Sequence, residues 1–338
     1  MKPLPLIGLV LSVALTGPAL AADFNYKIVD RIKVPDGGFD YATFDSVNGR
    51  VLIARTNFTT VIDAKTGKVS QLASAAHGHM AIAIPGTTLL VLPQGAGMIR
   101  IADGATDKVL ADIPGGKGPD GAVYDPFSKL VFVMNHDGGD ATVVDPVARK
   151  AVATIPVGPM SHLEFPASDG AGKVYDNVTT VPEIAVIDVM TRMVTARYKL
   201  NGCNGASGLA YDPQAKLLIS SCRNGMAKVL EADTGKEVAS LHIGAGPDAV
   251  MFDPMRKLAF ISCGEDGVLE VILLVDPTHI SVVQHVPTQV GSRTGTVDPK
   301  TGRVYLVASL PDPSAVVPPG GRGAPRLAGS YEVLVVGP

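Results

Sequence analysis

One phrase of about 40 residues recurs along this chain, and no other feature restricts its fold as much. The phrase is an aromatic or apolar residue, Asp, often Pro, a short polar turn, and then an apolar run. It stands at Phe44-Asp45, Tyr124-Asp125-Pro126, Tyr211-Asp212-Pro213, Phe252-Asp253-Pro254 and Val297-Asp298-Pro299, with degenerate copies at Ile84-Pro85 and Phe165-Pro166. From Asp45 through Pro85, Asp125, Pro166, Asp212 and Asp253 to Asp298 the steps are 40, 40, 41, 46, 41 and 45 residues. A second phrase, an apolar pair followed by Asp and a turn, follows most copies, as at Val61-Ile62-Asp63, Val143-Val144-Asp145, Val186-Ile187-Asp188 and Leu274-Val275-Asp276. Each copy therefore holds two hairpins. The intervening runs, such as Leu130 to Met134, are continuous and β-rich, with none of the i, i+3, i+4 spacing that helical repeats need. Four short strands per copy make a propeller blade, so the expectation is an all-β, seven-bladed β-propeller over residues 22–338.

A ring of blades must close, because free ends would expose two sheet edges. After Val304 to Ala308 the last copy has one further strand-like run, Ser330 to Val336, and lacks a fourth strand. An orphan strand, Tyr26 to Val34, precedes the first copy and is expected to complete the last blade.

Ahead of that strand the chain reads as a Sec-type signal peptide. Lys2 precedes an apolar run from Leu4 to Leu15, and Ala19-Leu20-Ala21 fits an A-x-A cleavage site. Cleavage near Ala21 implies a periplasmic or secreted protein with no membrane span, and a monomer is expected. Composition narrows the partners further. With Lys+Arg 29 against Asp+Glu 32, the chain lacks the basic surface that phosphate backbones require, and with aromatics at 5% and no Trp it lacks a stacking platform. No nucleic-acid partner is expected on these grounds, which points to a small molecule or a periplasmic or cell-surface protein as partner.

The phrases at Gly118 to Val133, Gly246 to Pro254 and Val61 to Val69 resemble those of the YVTN-repeat, YncE-like family of bacterial β-propellers. The resemblance covers essentially the whole mature chain. It implies a seven-bladed ring and a surface or periplasmic binding role, on a fold that lactonases and haem or quinone enzymes also use. No P-loop, nucleophile elbow, HExxH or CxxCH motif accompanies it.

The loops entering the innermost strands and leaving the second strands meet over the central channel. Aligning the copies places Asp40, His79-Met80, Asp120, Ser161-His162, Ser207, Asp248 and Arg293 on the entry ring. Arg55, Gln94, Asn135-His136, Asn177, Cys222-Arg223, Cys263 and Ser309 fall on the exit ring. Of the 7 histidines, His77, His79, His136 and His162 sit in loops of consecutive blades near Asp120 and Glu164. The expected ligand surface therefore comprises His77, His79, Asp120, Asn135, His136, His162, Glu164, Asn177, Arg223, Asp248 and Arg293.

Within that surface, His79, His136 and His162 are candidate ligands for a divalent metal, whether zinc, copper or calcium, since imidazole suits the first two and carboxylates the third. The same residues could instead only hydrogen-bond loop backbones, and the recurring Asp40, Asp120 and Asp248 are expected first as Asx-type turns. No catalytic residue is identified. If the protein is an enzyme, the reading is a lactonase-like, metal-assisted hydrolase.

Three cysteines leave one unpaired. A hairpin turning about Gln214 brings Cys203 opposite Cys222, so a disulfide is expected there, with Cys263 either a buried free thiol or a soft ligand at the channel mouth. A Pro/Gly-rich insertion, 310–329, should lie on the same face as the histidines.

Overall fold

A computed structural model describes residues 24–75, 77–159, 161–315 and 325–338. The segment read as a signal peptide, 1–21, and the middle of the 310–329 insertion lie outside the described residues. Seven four-stranded antiparallel sheets form a ring, which is the seven-bladed propeller that the repeat requires. Blade one runs from Phe39 to Leu72, blade two from Ile82 to Pro114, blade three from Pro119 to Pro156, and blade four from Leu163 to Lys199. Blades five and six run from Ala206 to His242 and from Pro247 to Pro287. Blade seven takes three strands from Gly295 to Gly337 and its outermost strand, Lys27–Lys33, from the start of the chain.

The core lies between the blades. Seven apolar clusters each join two neighbours, which explains why the second and third strands of every blade read as unbroken apolar runs. Leu130–Asn135 alternates between two such layers: Phe132 and Met134 pack toward blade four, Val131 and Val133 toward blade two. The outermost strands bury far less, as in Lys108–Pro114.

The repeated aspartates of the first phrase hold the turns at the opposite end from the histidines. Asp125 accepts from the Ser128 amide, and Asp45, Asp253 and Asp298 accept from Asn48, Met255 and Lys300 in the same way. The expected disulfide is present: Cys203 and Cys222 are bonded with Cα atoms 5.4 Å apart, and Cys263 is a buried free thiol. Among the described residues no helix is long and apolar enough to cross a membrane.

Candidate functional site

At the end of the channel where the innermost strands begin, each blade presents a charged or titratable side chain. Two glycines make the close approach there possible. A side chain at Gly121 would run into the Glu164 carbonyl of blade four, and one at Gly208 into the Asp248 carbonyl of blade six. Gly95 leaves room for the His79 ring in the same manner.

His79 Nδ1 lies 2.7 Å from Asp40 Oδ2 and 3.3 Å from Asp120 Oδ1. His136 Nδ1 is 2.8 Å from the Leu163 carbonyl, 3.8 Å from Asp120 and 3.9 Å from Glu164. A neutral His136 donates that Nδ1–H to the carbonyl, which leaves Nε2 with its lone pair. The His136 and His162 rings stand 4.7 Å apart. Below them the buried Tyr41 hydroxyl donates to Glu164 at 3.0 Å. On the far side Arg223 reaches Glu164 and Arg293 reaches Asp248, both at 3.5 Å.

Asp120 joins the two halves of the cluster. One triplet of ligand atoms comes from Asp40, His79 and Asp120, and another from Asp120, His136 and Glu164. A third, at the outer rim, comes from His136, Asp137 and His162; within each, the atoms lie no more than 4.8 Å apart. The buried Asp120 Oδ1 has no hydrogen-bond partner among the described residues; the nearest ring nitrogen, His79 Nδ1 at 3.3 Å, lies closer to Asp40. Burial, reinforced by Asp40, pushes the Asp120 carboxyl up to about 8, with His79 opposing. Burial likewise raises Asp248 to about 6 against the pull of Arg293, and drives Asp176, packed behind Glu164, well above the carboxylate range. The Asp40 hydrogen bond raises His79.

The structure divides the residues expected at this face. His79, Asp120, His136, His162, Glu164, Arg223, Asp248 and Arg293 converge on the channel mouth. His77 is exposed at a left-handed turn, with φ 61° and its amide bound to Thr56. Asn135 and Asn177 turn into the blades instead. Asn135 donates to Asp140 and Thr142, while Asn177 donates to the Ser207 and Gly208 carbonyls.

The Asx-turn expectation for Asp40, Asp120 and Asp248 is corrected: Asp40 meets His79, Asp248 meets Arg293, and Asp120 faces the cluster. Tyr41, Asp137 and Asp176 were not expected. All three adjoin residues singled out by the alignment, namely Asp40, His136 and Asn177, so adjacency was the available signal.

No family model matches the chain, and no curated protein shows significant similarity to it. Solved structures share its fold. The crystal structure of a mitotic checkpoint complex contains a chain 14% identical, with a TM-score of 0.75 and 99% of both chains covered. Hydrazine synthase of Kuenenia stuttgartiensis has one 15% identical, with a TM-score of 0.71, covering 81% of this chain and 94% of that one. At such identities the likeness is one of fold.

Proposed function

We propose that this chain is an exported, YVTN-repeat-like binding propeller that holds one divalent transition cation at its channel mouth, between Asp120 and the Asp40, His79, His136 and Glu164 side chains. The orphaned Asp120 Oδ1 carries this reading, since a buried acceptor without a donor costs about 1–3 kcal/mol and a cation relieves that cost. Charge supports it. Once Asp120 and His79 have released their protons, the four carboxylates Asp40, Asp120, Glu164 and Asp248 outnumber Arg223 and Arg293, and a doubly charged ion neutralises that excess. Mixed imidazole and carboxylate donors favour zinc or copper over calcium, which prefers an all-oxygen cage. Export rests on the leader-like residues 1–21, and the Cys203–Cys222 bridge is consistent with an oxidising compartment.

Metal analysis of protein prepared without a histidine tag tests the cation. After equilibration with zinc or copper and removal of excess, about one ion per chain should remain, and H79A and D120N should each weaken retention at least tenfold. Wild-type protein that retains no ion, or variants that retain it as well as wild type, would overturn the proposal.

A further inference from the structure

The other half of the same face has the opposite chemistry. Arg223, Arg293 and Arg326, supplied by blade five, the entry to blade seven and the 310–329 insertion, line a cavity of about 530 Å³ together with Asp248 and Glu265. Their guanidiniums are poorly engaged. The Arg223 and Arg293 side chains are 63% and 53% exposed, and each sits 3.5 Å from its carboxylate, well beyond the roughly 2.7–2.9 Å of a tight charge-assisted bond. Arg326 makes a 3.3 Å bond to the Ser309 carbonyl. A guanidinium has five donors, so most of those lining the cavity are unspent. The buried hydroxyls of Ser292, Thr294 and Ser309, in the backbone that carries Arg293 and leads to the insertion, likewise have no hydrogen-bond partner among the described residues.

The cavity and the cation cluster share a wall. Arg223 lines the cavity and also reaches Glu164, whose carboxylate belongs to a candidate ligand triplet. A small molecule held by an anionic group on the arginines can therefore extend its other end over Glu164 toward Asp120.

We propose that the arginine cavity is an anion subsite that takes the carboxylate or phosphate of a small ligand whose second anionic group completes the coordination of the cation. The ligand class is a short dianion with acidic groups at both ends. Planar, forked guanidiniums suit either oxyanion, and a zinc ion held by one triplet, such as Asp120, His136 and Glu164, would keep a fourth position for the ligand's second group. The part concerning the ligand's second group rests on the cation reading. The anion subsite does not.

Calorimetric titration at constant ionic strength separates the two. Succinate, acetate and inorganic phosphate are titrated into chelator-treated protein and into zinc-loaded protein. Expected are weak binding of succinate or phosphate to the chelated protein, at least a tenfold loss in R293Q and in R223Q with melting temperatures unchanged, and at least tenfold tighter succinate binding on zinc loading with no such gain for acetate. Preference for succinate or phosphate identifies the acidic group. Absence of anion binding in both forms, or binding untouched in the R223Q/R293Q double variant, overturns the subsite even if zinc is retained. Anion binding that needs the arginines and is indifferent to retained zinc overturns the bridging ligand alone, and failure to retain zinc overturns the cation reading and the bridging that rests on it but not the anion subsite.

Discussion

Asp120 is the residue on which the site turns, and its titration distinguishes a structural carboxyl from a cation ligand. The carboxyl ionises near 3.8 when free and at about 8 in the fold, chiefly through burial. Between those values the unfolded chain has released a proton that the native state keeps, so stability falls as pH rises from about 4 to about 8 and levels off beyond. Without cation, D120N should therefore melt higher than wild type, by a margin that is small near pH 4, grows to pH 8 and stays constant above; thermal melts across that range decide it, and a margin independent of pH would show that the carboxyl is not held protonated. With zinc the order should reverse, because wild type gains a ligand-bound state. Zinc affinity should rise about tenfold per pH unit approaching 8 and more steeply at lower pH, since binding must displace the Asp120 proton and, where His79 is charged, one of its protons as well; isothermal titration in buffers of different ionisation enthalpy counts the protons released. At this scale the repeat alignment made the convergence of His79, Asp120, His136 and Glu164 legible. It could not separate His136, at the mouth, from its neighbour Asn135, because that depends on Asp140 and Thr142 offering Asn135 partners inside the blade.

Among the elements, the first hairpin of blade five is the one fixed covalently. Cys203 precedes the strand Ala206–Asp212 and Cys222 ends the strand Leu217–Cys222, so the bridge closes the open end of a hairpin whose other end is the turn at Asp212. A loop of 19 residues in the denatured chain is worth about 3 kcal/mol when cross-linked. The C203S/C222S variant should lose about that much in denaturant unfolding, and reduction should bring wild type to the same midpoint. An unchanged midpoint would mean that hairpin pairing alone sets blade stability. Cys263, at the equivalent position in blade six, has no second cysteine opposite it; burial pushes its thiol to about 12, which keeps it protonated and unreactive. The pairing was readable because hairpin register follows from strand length and turn position. The reach of Arg223 across to Glu164 was not, since it depends on how far two blades rotate toward each other.

For the whole molecule, closure is the decisive event. The strand Lys27–Lys33 pairs along Glu332–Gly337, Arg31 and Lys33 both meet Glu332, and Tyr26 packs edge-on against Phe260 of blade six with ring centroids 5.1 Å apart. Deleting residues 24–33 removes the outer strand of blade seven and part of the apolar layer between blades six and seven. The expected result is cooperative loss of the ring, with the melting temperature lowered by on the order of 10 °C or more and greater protease sensitivity in all blades. A deletion that melts like the full chain would show that three strands suffice for the last blade. Seven copies at a nearly constant step were enough for the sequence by itself to determine the blade count, the strands and the N-terminal clasp, because each copy must bury its two faces against neighbours and only a closed ring provides both. What only the tertiary structure decided is the chemistry at the channel mouth. Asp40, Asp120 and Asp248 occupy equivalent positions in the repeat, yet one meets a histidine, one is left without a donor and one meets an arginine. Their protonation and partners depend on burial and on charges brought in by other blades, and neither is encoded in the repeat that places them.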